Sequence, residues 1–224
     1  MKYFFQALLL VIPMLSMCGC ISSQRYAGYV KAYYVQKDTA QAPTMQDVKV
    51  LSQMPSAFAE VVDVKKGDSH FIPAFFYWGV KESFDCNLNA AVPQQIVQRT
   101  IHRYADTMGL IKKLHGRRLE LTIQDIPTAF TYVNNTDVVF IVIYAFTMGS
   151  QVIKSQNTDV VLSYKVYEGQ QLVKEGRLVA KDEASDMSNI WKSTKKITWA
   201  YLKAYNNNVT RLSKQCLEQL VDEL

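Results

Sequence analysis

The chain of 224 residues is short of the residues that most metal sites and phosphate cradles need. It has 3 His, none in His-x-x-x-His spacing, and 4 Cys with no Cys-x-x-Cys pair, so no metal site is expected. With only 9 Gly it contains no Gly-x-Gly-x-x-Gly, no P-loop and no Gly-x-Ser-x-Gly elbow. No catalytic residue and no cofactor is expected. An enzyme of unrecognised type stays open as an alternative, because a Ser-His-Asp set assembles from distant positions. Lys+Arg number 25 against 20 Asp+Glu, a net +5 that is too small for a nucleic-acid footprint. No linker and no internal repeat divides the chain. The only apolar stretch near membrane length lies at the N-terminus.

That N-terminal stretch carries the strongest signal. Lys2 is followed by an apolar run from Tyr3 to Met17, broken by Gln6 and Ser16. It is short for a spanning helix and fits the apolar region of a signal peptide. The run ends in Leu15-Ser16-Met17-Cys18-Gly19-Cys20. A small residue directly before a Cys at this point resembles the bacterial lipobox. The resemblance implies diacylglyceryl transfer to the thiol, cleavage before it and acylation of the new N-terminus. Cys20, preceded by Gly19, is the expected lipidation site, and Cys18, preceded by the bulkier Met17, is the fallback. The expected organisation is a signal peptide over 1–19, a tether and first extended segment over 20–45, and one domain over 46–224. Ile21 and Ser22 follow Cys20 with no Asp, which by resemblance to enterobacterial sorting points to the outer membrane, periplasmic side.

Beyond the tether the pattern predicts an α+β fold: an antiparallel sheet with an amphipathic helix and a long C-terminal helix on one face. Tyr26 to Gln36, rich in Tyr and Val, reads as extended. Lys65 to Ser69 reads as a turn, and Phe71 to Phe84 as a strand entering a loop at Asp85-Cys86-Asn87. Pro93 opens a helix whose face is Val97, Ile101, Tyr104, Ala105 and Met108, with Gly109 as its stop. Leu119, Leu121 and Ile123 alternate with polar residues, a half-buried strand. Val138 to Phe146 is a nine-residue run of apolar residues and reads as a central strand covered on both faces. Val160 to Tyr167 and Leu172 to Ala180 flank a Gly-containing turn and form a hairpin. Ile190, Thr194, Ile197, Tyr201, Tyr205, Val209, Leu212, Cys216 and Leu220 mark one stripe of a closing helix capped by Ser188.

The lipobox start, Ala74-Phe75-Phe76-Tyr77-Trp78, the helix Gln94 to Met108, the strand Leu119 to Ile123 and the closing helix together resemble the ABC-type transport auxiliary lipoproteins. That family includes the outer-membrane partner of the paraquat-inducible MCE lipid-transport systems. The resemblance implies a non-catalytic, membrane-anchored interaction module accessory to a transport or envelope-assembly complex. Its partners would be the membrane, through the N-terminal lipid, and other envelope proteins. A binding protein for an apolar ligand such as a lipid is the other alternative, and no nucleic acid is expected.

Three further groups are candidates. Lys112, Lys113, Arg117 and Arg118 form the densest basic cluster, either a contact for anionic headgroups or a solvated loop. Once Cys18 is removed and Cys20 lipidated, Cys86 and Cys216 remain as an even pair. They form either a disulfide in an oxidising compartment or two free thiols, one buried as a small hydrophobe. Tyr26, Tyr29, Tyr33 and Tyr34 form either an exposed aromatic surface or a packed sheet face.

Overall fold

The computed structural model describes residues 21–37, 45, 47–55, 58–141, 144–156, 158–183 and 185–224. In chain order the elements are α1 (Ser23–Lys37), β1 (Val48–Ser52), β2 (Val62–Ala74), β3 (Tyr77–Leu88), α2 (Ala91–Tyr104), α3 (Leu110–Leu114), β4 (Arg118–Asp125), β5 (Ala129–Ile141), β6 (Tyr144–Ser155), β7 (Val160–Glu168), β8 (Gln171–Ala180), β9 (Met187–Asn189) and α4 (Thr194–Glu223). The fold class is α+β, as the pattern predicts, but the strands form two sheets. One has the order β1-β4-β7-β8, with β1 and β4 parallel. The other has the order β2-β3-β5-β6-β9 and is antiparallel throughout.

The elements that follow their sequence pattern do so for local reasons. In β4, Leu119, Leu121 and Ile123 are fully buried while the residues between them are not, the period of a half-buried strand. The β7–β8 hairpin turns at Gly169, whose φ of 60° is left-handed and suits glycine. The backbone N–H of Ala91 at the start of α2 donates to the Asn89 side chain at 2.9 Å. Gly109 leaves that helix region at a φ of 76°. Helix α4 begins five residues later than expected: Ser193, not Ser188, caps it by accepting from the Lys196 N–H. Ser188 lies in β9, and Ile190 is exposed instead of joining the stripe. From Thr194 to Leu220 the expected stripe is buried, and it packs α4 against both sheets.

Four expectations are corrected. Residues 23–37 are helical, not extended: Tyr26, Val30 and Tyr33 fall on one helical face and are buried in the core. The domain therefore begins at α1 and not at 46. Tyr26 stacks on Phe84 with ring centroids 5.8 Å apart and meets Tyr132 at 4.7 Å, so α1 is bolted to the middle of the larger sheet. The Lys65–Ser69 turn is instead a register shift inside β2, and a Cβ at Gly67 would come within 2.5 Å of Ser83 Oγ. The loop expected at Asp85–Asn87 is strand, because all three residues pair with β5. The run Val138–Phe146 is not one covered strand. It contributes the end of β5 and the start of β6, which pair as Ile141 with Tyr144, and both of these residues are exposed.

Candidate functional site

Cys18 and Cys20 lie outside the described residues. Cys86 and Cys216 are both buried and free, so of the two readings left open by the sequence the structure has the free thiols and not the bridge. They belong to different elements, Cys86 to a strand of the larger sheet and Cys216 to α4 where that helix packs on the smaller one. Cys86 belongs to β3 of the larger sheet, its sulfur 3.6 Å from the Phe84 carbonyl oxygen. Cys216 packs on β7 of the smaller sheet, 3.8 Å from the Val160 carbonyl oxygen. Burial pushes both thiols well above their ordinary value, Cys216 to about 12.

The basic cluster is largely spent on structure. Arg117 donates to the carbonyls of Leu114 and Lys113, both at 2.9 Å, and so caps the end of α3. Lys113 donates to the Val221 carbonyl at 2.5 Å, tying α3 to the end of α4. Arg118 lies over the Tyr167 ring and beside Glu120. Lys112 is exposed. A short cluster used in this way is a helix-to-strand junction first. The Tyr-rich segment is likewise core, with the Tyr29 carbonyl accepting from Trp199 Nε1 at 2.9 Å and Tyr34 donating to Asn206 at 3.2 Å.

Among the described residues no group of His, Cys, Asp and Glu is placed to hold a metal ion. A cleft of about 410 Å³ lies between α1, α2 and α4, and its wall includes Tyr34, Glu60, Asn89, Arg99, Arg103 and Asn206. It is open, its wall mixes these polar side chains with apolar ones such as Val92 and Ile96, and Glu60 within it is paired with Lys31. The raised Tyr26, Tyr201 and Tyr205 hydroxyls owe their shift first to burial in the core, not to an acid–base partner in a cleft.

The unusual surface is at one end of the larger sheet. β2 and β3 form a hairpin whose connection is Phe75-Phe76, and β5 and β6 form a second one. β3 pairs with β5 from Tyr77–Val139 to Asn87–Ala129, so the two hairpin tips stand side by side. Phe71, Ile72, Phe75, Phe76, Tyr77, Ile141, Tyr144, Phe146 and Met148 are all exposed, Phe75 at 91%. Because neighbours in a strand face opposite sides, exposure of both Phe71 and Ile72 means that neither face of the ribbon is covered there. Residues 71–80 and 138–153 contain no charged side chain. Charge resumes at Asp137, which accepts from the Tyr77 hydroxyl at 2.6 Å, and at Lys81.

The direction of the helices ties this end to the N-terminus. Along β5 from base to tip, Tyr205 donates to the Pro127 carbonyl at 2.7 Å, Tyr201 meets Phe130 at 4.9 Å, and Thr194 shares a hydrogen bond with Tyr132 at 3.2 Å. Helix α4 therefore runs away from the tips. α1 runs parallel to it, with Tyr26 beside Thr198 and Tyr34 beside Asn206. Both helices start on the side of the tips, and the 92% exposed Trp191 precedes α4 there.

No family model matches the chain, and no curated protein or solved structure is similar to it. Sequence reasoning missed the paired tips. The signal was present as two uncharged aromatic segments of similar composition, but nothing in either segment tells that they become neighbours.

Proposed function

We propose that this chain is a lipid-anchored, non-catalytic module of a bacterial envelope, accessory to a transport or assembly complex and attached through Cys20. The observation that supports this most is the junction of lipobox and fold. Helix α1 begins three residues after Cys20 and is rooted in the core through Tyr26, Val30 and Tyr33. An anchor at Cys20 has almost no slack, so the domain is held against the membrane with a fixed end towards it. A long tether would let the domain roam; this one orients it. Two or three acyl chains, at about 0.8 kcal/mol per buried CH₂, hold such a domain durably. No described helix is long and apolar enough to cross a membrane, which leaves the N-terminal lipid as the attachment this reading needs. The test is metabolic labelling with palmitate. Label should be incorporated into the native chain and lost in Cys20→Ala. Retention of label in Cys20→Ala with loss in Cys18→Ala moves the anchor to Cys18, and no label in any form removes the reading.

A further inference from the structure

We infer that the paired hairpin tips enter the lipid bilayer, so that the protein holds its membrane at two points, the acylated Cys20 and the aromatic ends of β2–β3 and β5–β6. This rests on the anchored reading above. The distances along the strand direction are consistent with it. Tyr26 sits at the level of the Phe84–Tyr132 pair. From Tyr132 to Ile141 is nine residues of strand, about 30 Å at about 3.3 Å each. From Tyr26 back to Ser23 is three residues of helix, about 4.5 Å towards the tips. The three residues from Ser23 to Cys20 add at most about 10 Å when extended. The tips therefore reach at least about 15 Å past an anchor at Cys20, the depth of one leaflet of a hydrocarbon core about 30 Å thick.

The chemistry of the ribbon matches that depth. From Asp137 to Ile141 is four residues of strand, about 13 Å without a charge. Tyr77, Trp78 and Tyr144 carry polar atoms on apolar rings, the side chains enriched where bilayer meets water. Both faces of the ribbon are apolar at its end. A second copy or a protein partner stacked on one face would leave the other in water, whereas lipid covers both without shape complementarity. Insertion also has a floor. Among the described residues the outer edges of β2 and β6 near the tips pair with no strand, and open edges are costly in hydrocarbon. Pro73, with no N–H, removes one donor from β2 near the tip. The ribbon therefore stops within one leaflet, at the level where Asp137 and Lys81 return charge to water.

The experiment uses the full lipidated chain in vesicles of phosphatidylethanolamine and phosphatidylglycerol. An environment-sensitive fluorophore is placed at Phe76→Cys and, as a control, at Lys65→Cys; Cys86 and Cys216 are buried and do not compete. The expected result is a blue shift at position 76 and quenching there by lipid-borne nitroxide, with neither at 65. Phe75→Ser combined with Phe76→Ser changes two exposed side chains, leaves folding intact, and should abolish penetration of a probe at Tyr144→Cys while the palmitoylated chain stays on the vesicle. A probe at 76 that remains in water on bound protein overturns the inference and leaves the anchor standing. So does a probe shielded equally in lipid-free protein in a concentration-dependent way, which would make the ribbon a contact between copies or partners. Loss of palmitate labelling with a wet tip fails both.

Discussion

The Tyr77 hydroxyl donates to the Asp137 carboxylate at 2.6 Å, from β3 of one hairpin to β5 of the other. The bond sits where the uncharged ends of the two hairpins give way to charged residues, and it joins the tips laterally. It also occupies one lone pair of the carboxylate nearest the apolar ends. Tyr77→Phe should leave that carboxylate short of a donor. A charge-assisted hydrogen bond is worth about 1.5–3 kcal/mol net, less where water can substitute. Vesicle penetration by the tip should therefore fall roughly 3- to 10-fold, while thermal stability of the domain, whose core lies elsewhere, stays nearly unchanged. Asp137→Asn combined with Tyr77→Phe should recover most of the loss, since the amide brings no charge to desolvate. An equal loss in the double variant would mean that the bond acts by fixing hairpin geometry alone.

The thiols give a second expectation. Cys86 in β3 and Cys216 in α4 are buried, and burial keeps both protonated at neutral pH. Thiolate is the reactive form, so neither should alkylate in the folded protein. Chain purified from membranes without reductant should take up no maleimide when native and two equivalents when unfolded. Its electrophoretic mobility should not depend on reductant. A non-reduced species that accepts no label after unfolding would restore the disulfide.

Alkali should weaken the fold early. Cys216 is raised from 9.0 to about 12, and Cys86, Tyr26, Tyr201 and Tyr205 are raised as well, in each case chiefly by burial. Each group binds its proton more tightly folded than unfolded. The stability that this linkage provides is whole below the unfolded pKa and is lost as pH rises towards the folded one. The melting temperature should be flat from about pH 7 to 8.5 and fall progressively above about pH 9, with the slope growing as the tyrosines join the thiols. A melting temperature unchanged up to about pH 11 would show that these groups reach solvent.

The parts of this fold that can be read from sequence are those decided locally. β4 alternates, the β7–β8 turn has its Gly169, and the stripe of α4 keeps its step for seven turns; each pattern needs only its own neighbours. The composition of α1 points to a strand, since Tyr and Val favour strands, while the spacing of Tyr26, Val30 and Tyr33 suits a helix. Packing against Trp199 and Thr198 outweighs composition there. The run Val138–Phe146 offered no Gly, Pro or Asn to mark a reversal, so its hairpin was invisible. The candidate site was hidden for a different reason. It exists only because β3 pairs with β5 across about fifty residues of chain, and a pairing of that range leaves no local trace.

The last prediction concerns the peg that sets the anchor's position. Tyr26 is 0% exposed, stacked on Phe84 and tilted against Tyr132, with its hydroxyl 3.3 Å from that of Thr198. Removing the ring should cost about 3–5 kcal/mol, as large aromatic truncations in cores do. Removing only the hydroxyl should cost about 1 kcal/mol, the value of one net hydrogen bond. Tyr26→Ala should therefore lower stability several times more than Tyr26→Phe in denaturant titrations. The two variants should also part in function. With α1 loosened, Cys20 no longer sits at a fixed distance from the tips, so Tyr26→Ala should remain palmitoylated but lose tip penetration even at temperatures where the sheets are folded. Tyr26→Phe keeps the ring against Phe84 and Tyr132 and should penetrate normally. Should Tyr26→Ala stay folded and penetrate as the native chain does, α1 would be a passive tether and the fixed spacing between anchor and tips would play no part.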